Sequence, residues 1–352
     1  MAPFFSRGSA DGLLGSKPAG TGVPESRRGS VCGQTRPCVR LSPLSVAPDP
    51  VASIQRIDES MSSSSYRGRF APSPSGPLHF GSLIAAVGSY LQARSQQGRW
   101  LVRIEDLDPP REVPGAADGI LRTLEAYGLQ WDEPVVYQSQ RHARYQSVLD
   151  EFHRRALTYH CHCSRARIQS LGGFYDGHCR SLGLPAEQSS VRLRMSDPVY
   201  GFDDERLGHI QVPQALAEED FILKRRDGLF AYNLAVVIDD ADSGITEVVR
   251  GADLIEPTVR QIALYRLLGA AEPGWLHLPL ALQANGLKLS KQNHAPALGD
   301  SAISQTLCQA LSFLGQQPPA ELIGAAPALL LDWGCSHWQP DKIPTQAQIQ
   351  PI

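Results

Sequence analysis

The sequence predicts an α/β protein: a parallel sheet wound by helices, with a small cysteine-bearing insertion and a short helical C-terminal part. Three observations carry this. Strand-like apolar runs alternate with segments of helical period from Arg67 to Leu280. A Pro- and Gly-rich turn, residues 71–76, joins the first strand to the first helix, a place where such sheets receive anions. Three of the seven cysteines crowd into nineteen residues, 161–179, between the two halves of the pattern.

The elements follow in order. Residues 67–71 read as a strand. Leu83, Ile84, Val87, Tyr90 and Leu91 then keep helical spacing until Gly98. Residues 100–104, Trp-Leu-Val-Arg-Ile, form a buried-type strand with Glu105 at its C-terminal end. Ile120, Leu121, Leu124 and Tyr127 give a helix closed by Gly128, Val135-Val136 a brief strand, and 141–158 another helix. Residues 191–195 and the stretch 200–223 read as strands with turns, and Asp227-Gly228 is a hairpin signal. The apolar run 232–240 packs in the core. Residues 247–251 are a strand ending near Arg250, and a helix with Arg260, Ile262 and Leu264 runs between Pro257 and Gly269. Residues 277–280 form a last strand, and 304–314 a terminal helix. Ligands bind beyond the C-terminal ends of parallel strands, so residues 71–75 and Glu105 face one crevice.

Composition narrows the class. Apolar residues are 42% and charged residues 20%, with a net charge of −3. That is an ordinary globular balance, and any contact with nucleic acid must come from a local basic face. No apolar run reaches the ~18 residues of a membrane span. An odd, clustered set of cysteines suits a metal site in a reducing compartment better than disulfides. Residues 1–65 lack an apolar period and are rich in Gly, Ser, Pro and Arg, so disorder is expected there. Their basic bias is also that of an organelle transit peptide. The preferred reading is that Met61 is the physiological start and the upstream part a dispensable extension.

Two stretches carry the chemistry. In residues 68–82, Gly-Arg-Phe-Ala-Pro-Ser-Pro-Ser-Gly-Pro-Leu-His-Phe-Gly-Ser, His79 stands at a helix start. In residues 287–292, Leu-Lys-Leu-Ser-Lys-Gln, two lysines three apart are available to a phosphate. A lone capping histidine or a solvated lysine turn is commonplace; both, in order, across an α/β pattern, are not. At Cys161-x-Cys163…Cys179 the three thiolates leave one place in a tetrahedral zinc site. Chemistry alone gives that place to a histidine, His178 ahead of His162.

These stretches, with Arg103-Ile104-Glu105-Asp106-Leu107-Asp108, resemble the HIGH and KMSKS signatures of class I aminoacyl-tRNA synthetases, in the glutamyl branch and its shortened glutamyl-Q form. The resemblance covers residues 66–345. Ser82 replaces the last His of HIGH, and Lys291-Gln292 replaces the end of KMSKS; both suit the glutamyl-Q pattern. The resemblance implies a Rossmann-like catalytic domain in two halves (66–158 and 191–285), a zinc-binding insertion (159–190), and a lysine-loop and helical region (286–352) too short for a separate anticodon-binding domain.

It implies as catalytic residues His79 and Lys291. It implies a glutamate pocket of Arg69, Phe70, Ala71, Pro72, Ser73, Glu105, Tyr232 and Arg250, and an ATP site of Gly76, His79, Gly81, Ser82, Lys288, Ser290 and Lys291. Its zinc ligands fall on Cys161, Cys163, Tyr175 and Cys179, so Tyr175 is adopted, with His178 kept as the alternative. The physics fits: Arg69 and Arg250 can hold the side-chain carboxylate bidentately, Glu105 the α-ammonium, and Tyr232 can donate another hydrogen bond. The implied activity is ATP-dependent formation of glutamyl-adenylate without tRNA, with Mg2+, and transfer to queuosine in tRNA(Asp), by a cytoplasmic monomer. Glutamylation of a tRNA 3′ end and an idle RNA-binding paralogue are the competing readings. Lys224, Arg225 and Arg226, or Arg141 and Arg144, are candidate phosphate contacts.

Overall fold

The structure, a computed structural model, describes residues 65–282, 289, 296–299 and 301–350. The extension with Met61, and Lys288, Ser290 and Lys291, lie outside the described residues. The first half runs β1 (Arg67–Phe70), α1 (Phe80–Ser95), β2 (Arg99–Ile104), α2 (Ala116–Ala126), β3 (Val136–Tyr137) and α3 (His142–Arg154). β1 pairs parallel with β2, and β2 with β3. The expected helix 141–158 stops sooner: Ala156 takes a left-handed φ of 54°, which a continuing helix excludes.

The insertion opens with β4 (Thr158–Cys161) and α4 (Arg165–Ser170), then β5 (Ser190–Leu193). A hairpin of β6 (Gly201–Asp204) and β7 (Gly208–Gln211), the short α5 (Gln214–Ala217) and β8 (Ile222–Lys224) follow. β4, β5 and β8 make an antiparallel sheet. The Asp227-Gly228 turn is present, with Lys224 bridging to Phe230.

The second half holds α6 (Tyr232–Asp242), β9 (Glu247–Gly251), α7 (Ile255–Leu268), β10 (Gly274–Leu278) and β11 (Leu280–Ala281). The apolar run 232–240 is thus a helix, buried on nearly every face from Leu234 to Asp240; all-round burial erases the 3.6-residue signal. β9 and β10 are parallel, and Thr246 N donates to Arg67 O at 3.0 Å, so β9 lies beside β1. The strand order β3-β2-β1-β9-β10 puts the ends of β1, β2 and β9 together.

α8 (Ile303–Phe313), α9 (Pro327–His337) and β12 (Gln348–Ile349) close the chain, with β12 parallel to β11. The main core combines Leu83, Val87 and Leu91 of α1 with Leu307 and Leu311 of α8 and Leu330 of α9. A second core gathers α3, α6 and α7 around Trp275.

Candidate active site

The turn after β1 delivers His79 as the N-cap of α1: its Nδ1 accepts from Ser82 N at 3.3 Å. A ring that accepts at Nδ1 carries its proton on Nε2, so the histidine is set as a donor. Gly76 has φ 133°, a conformation open to glycine and strained for other residues. A Cβ on Gly81 would lie 3.0 Å from Leu289 O and 3.1 Å from the His79 ring, so glycine lets residue 289 approach the helix start. A cavity of about 210 Å³ opens here, lined by His79, Gly81, Ser82, Gly251, Asp253 and Leu280 among others. Its dimensions and the helix N-terminus suit part of a nucleotide. The turn itself is held to the strand ends: Glu105 N donates to Pro72 O at 3.0 Å, and Leu298 N to Leu78 O at 2.9 Å.

The amino-acid candidates sit at the adjoining strand ends. Arg69 is 4% exposed. Its Nε and Nη2 face Asp240 of α6 at 3.2 Å, and Nη1 reaches Val249 O at 3.3 Å. This corrects one expectation: the two-nitrogen edge meant for a substrate carboxylate is committed to Asp240, because α6 brings an acid there. Phe70 turns its ring into the core, stacked on Trp100 at 6.3 Å, so its part in a pocket is through its main chain. Ala71 is half-buried, Pro72 buried and Ser73 exposed along the turn. Glu105 pairs with Arg103 at 3.3 Å, and burial pushes its carboxyl above the usual range against the pull of Arg103 and Arg69. An incoming ammonium would restore the anion. Tyr232, the first residue of α6, has its phenol raised by burial, then by Glu105. Its hydroxyl makes no hydrogen bond to another described residue.

Arg250 differs from Arg69. It is 5% exposed, and no carboxylate lies within ion-pair distance among the described residues. Its partners are neutral: His277 Nε2 at 3.1 Å, Gln261 Oε1 at 2.7 Å, Thr258 Oγ1 at 2.7 Å and Leu254 O at 3.1 Å. Four of the five N–H bonds of a guanidinium are thus directed, and one on Nη1 remains with an unbalanced buried charge. The expected bidentate grip becomes a charge plus one donor. Such a site calls for an anion.

Residues 65–307 match a family model described as the catalytic domain of class I tRNA synthetases (E and Q). The chain is 62% identical over 284 residues to the glutamyl-Q tRNA(Asp) synthetase of Serratia proteamaculans, covering 81% of this chain and 94% of that protein. The likeness to the Vibrio cholerae protein of that name is 61% over 288 residues, with 81% and 94% covered. The chain belongs to the glutamyl-Q tRNA(Asp) synthetase family. It is an enzyme of the ligase type with the class I synthetase fold, mixed α/β around a parallel sheet. Among solved structures, a glutamate-tRNA synthetase from Elizabethkingia anophelis aligns with a TM-score of 0.67 at 25% identity, over 81% of this chain and 68% of that one. A glutamate tRNA ligase from Elizabethkingia meningosepticum, in complex with its amino acid, gives 0.66 at 26% identity, over 82% and 67%.

In this glutamyl-Q family member the insertion brings the three thiols together: the Sγ atoms of Cys161, Cys163 and Cys179 lie within 4.8 Å of one another. Cys163 and Cys179 are 3.5 Å apart, and the Tyr175 phenol accepts from Cys179 N at 2.7 Å. Three converging thiols with a buried phenol oxygen beside them form a donor set that fits zinc. His178 and His162 are exposed and stand outside the group. Burial pushes the Cys163 thiol up to about 12, with Cys179 adding to the rise.

The candidate RNA contacts separate. Arg141 is half-buried and pairs with Asp239 and Asp242, Arg144 is exposed and pairs with Asp242, and Arg225 is likewise paired, with Asp108 and Asp227. Lys224, Arg225 and Arg226 line one cavity of about 390 Å³ with His153 and His160. Sequence reading missed Asp239 and Asp240, whose signal was an acid pair ending an apolar run. It also missed His277, Thr258 and Gln261, which carry no motif, and gave Arg103, though part of the 103–108 motif, no role in the site.

Proposed function

We propose that this chain activates L-glutamate with ATP in the absence of tRNA and transfers the glutamyl group to queuosine in the anticodon loop of tRNA(Asp). The observation that carries the reading is Arg250, a buried cation without a carboxylate partner among the described residues, with the Tyr232 phenol within electrostatic reach of both it and Glu105 and with Gly251, next to it, lining the His79 cavity. Glutamate presents two carboxylates and an ammonium. Arg250 takes the side-chain carboxylate, Glu105 the ammonium, and Tyr232 donates a hydrogen bond. Arg69, Ala71, Pro72 and Ser73 complete the wall. The α-carboxylate is left to attack the α-phosphorus, and pyrophosphate leaves with the broken P–O bond.

Little covalent work falls to the protein; it aligns the reactants and meets charge on the phosphates. His79 donates from Nε2, with Gly76, Gly81 and Ser82 shaping the phosphate cradle and Lys288, Ser290 and Lys291 in the same role. Mg2+ carried by the nucleotide would supply further neutralisation of the phosphates. A hydroxyl of the queuosine cyclopentene-diol then attacks the glutamyl carbonyl, an ester forms and AMP leaves. Cys161, Cys163, Cys179 and Tyr175 would hold a structural zinc in the insertion 159–190, between catalytic halves 66–158 and 191–285. Lys224, Arg225 and Arg226 offer the RNA a local basic face. The working form is a cytoplasmic monomer.

Pyrophosphate exchange with glutamate and ATP, without tRNA, is the first test; no exchange sinks the reading. The acceptor is decided next. Queuosine-bearing tRNA(Asp) stripped of its terminal adenosine should still be charged, and intact tRNA(Asp) without queuosine should not. The opposite pattern makes the 3′ end the acceptor.

A further inference from the structure

Arg69 and Arg250 are two buried arginines on neighbouring strands with opposite electrostatic fates. Arg69 meets Asp240 directly. Arg250 also has an aspartate nearby, but an imidazole stands between. His277 of β10 is the parallel register partner of Arg250 in β9. It is 1% exposed. Its Nε2 accepts from Arg250 Nε at 3.1 Å, and its Nδ1 lies 2.7 Å from Asp204 Oδ2. A guanidinium cannot accept a hydrogen bond, so Nε2 bears the lone pair and Nδ1 the proton given to Asp204. Asp204, at the end of β6, is fixed in turn by the backbone N–H groups of Arg206, Leu207 and His277 at 3.0, 2.9 and 2.9 Å.

We infer that Asp204 and His277 are positioning residues for amino-acid selection. The imidazole aims the Arg250 guanidinium and keeps the Asp204 carboxylate out of ion-pair contact with it, reserving the arginine's charge for the substrate's side-chain carboxylate. A direct aspartate at this place would make Arg250 a second Arg69, already balanced and indifferent to a further anion. The spacer therefore favours a carboxylate over the neutral carboxamide of glutamine. This rests on the assignment of Arg250 to the glutamate pocket.

The test compares two variants of equal size and different charge in the full chain. Pyrophosphate exchange is measured against glutamate, glutamine and ATP, with thermal unfolding as the check on folding. His277→Asn keeps an acceptor for Arg250 and a donor for Asp204; it should raise the glutamate KM about threefold. His277→Asp places a carboxylate on Arg250; it should raise that KM at least about thirtyfold and narrow the preference for glutamate over glutamine, with the ATP KM held. Equal effects of Asn and Asp, or equal rises in the glutamate and ATP KM, overturn the inference.

If either variant fails to fold, Asp204→Asn decides: its amide must turn a donor toward His277 or toward the Arg206 and Leu207 N–H groups, either way displacing the side chain that holds the imidazole, and the glutamate KM should rise about tenfold or more. An unchanged KM there overturns the inference. Arg250→Gln separates the two levels. If it leaves the glutamate KM unchanged, the pocket assignment itself fails; if it raises the KM and the charge of residue 277 has no effect, only the positioning role fails.

Discussion

Asp240 is the hinge of the buried charge network. It receives Arg69 at 3.2 Å and Arg103 at 2.5 Å, and these two cations hold its carboxyl below the usual range against the cost of burial. Asp240→Asn leaves the buried Arg69 without a carboxylate among the described residues and Arg103 with Glu105 and Asp239 alone, and a loss of about 3–5 kcal/mol is expected in denaturant unfolding. Tyr232→Phe has the reverse profile: its hydroxyl meets no described protein partner, so stability should hold while the glutamate KM rises about fivefold. His79→Ala removes both a helix cap and the Nε2 donor; exchange kcat should fall about a hundredfold with the glutamate KM little moved. At this scale the sequence was half legible. His79 and Glu105 stand at a helix start and a strand end, where position suggests a ligand, whereas Tyr232 and Arg250 were named through the family resemblance. Asp240 and His277 lie inside an apolar helix and an apolar strand, and only the fold discloses what they face.

Among the elements, the insertion is the one whose own apolar core is least sufficient: Tyr159, Cys161, Tyr175 and Cys179 make up its buried cluster. A bound ion would be part of its folding energy. Cys161→Ser should give protein with its zinc content lost by elemental analysis and with the segment around α4 cleaved faster by protease; a fully zinc-loaded variant would remove the metal reading. The α1 start is legible for a plain reason, since Pro, Gly and His punctuate it in order. α6 was read as packed but not as helical, because its burial on nearly all sides left no periodicity to count. α9 was passed over for a different cause: Leu329, Leu330 and Leu331 are consecutive, so they break the helical period, though only Leu330 and Leu331 are buried and Leu329 is exposed.

For the whole molecule, the acidic pair of Glu205 and Glu247 at the start of β9 predicts a pH response. Glu205 is pushed up to about 8 by partial desolvation and by the neighbouring Glu247 and Asp204 carboxylates, while Glu247 also receives Tyr66 at 2.5 Å and Gln92 at 3.2 Å. The folded state therefore keeps a proton that the unfolded chain releases above about 4.5. The stability this contributes is full below that pH, declines as pH rises toward 8 and is gone beyond it. Glu205→Gln should flatten the fall in Tm between pH 5 and 8; an unchanged slope would show that the proton is held elsewhere.

Gln92 of α1 joins the parallel sheet to the C-terminal region: it donates to Glu247 of β9 and accepts from Trp338 Nε1 at 2.7 Å. Gly334 of α9 sits so close to α1 that a Cβ there would lie 3.0 Å from Leu91. The last helices are thus masonry of the catalytic core and not an appendix to it. Evolution cannot trade them as a cassette, and an engineer who trims the chain before α9 should recover aggregates in place of a minimal catalyst.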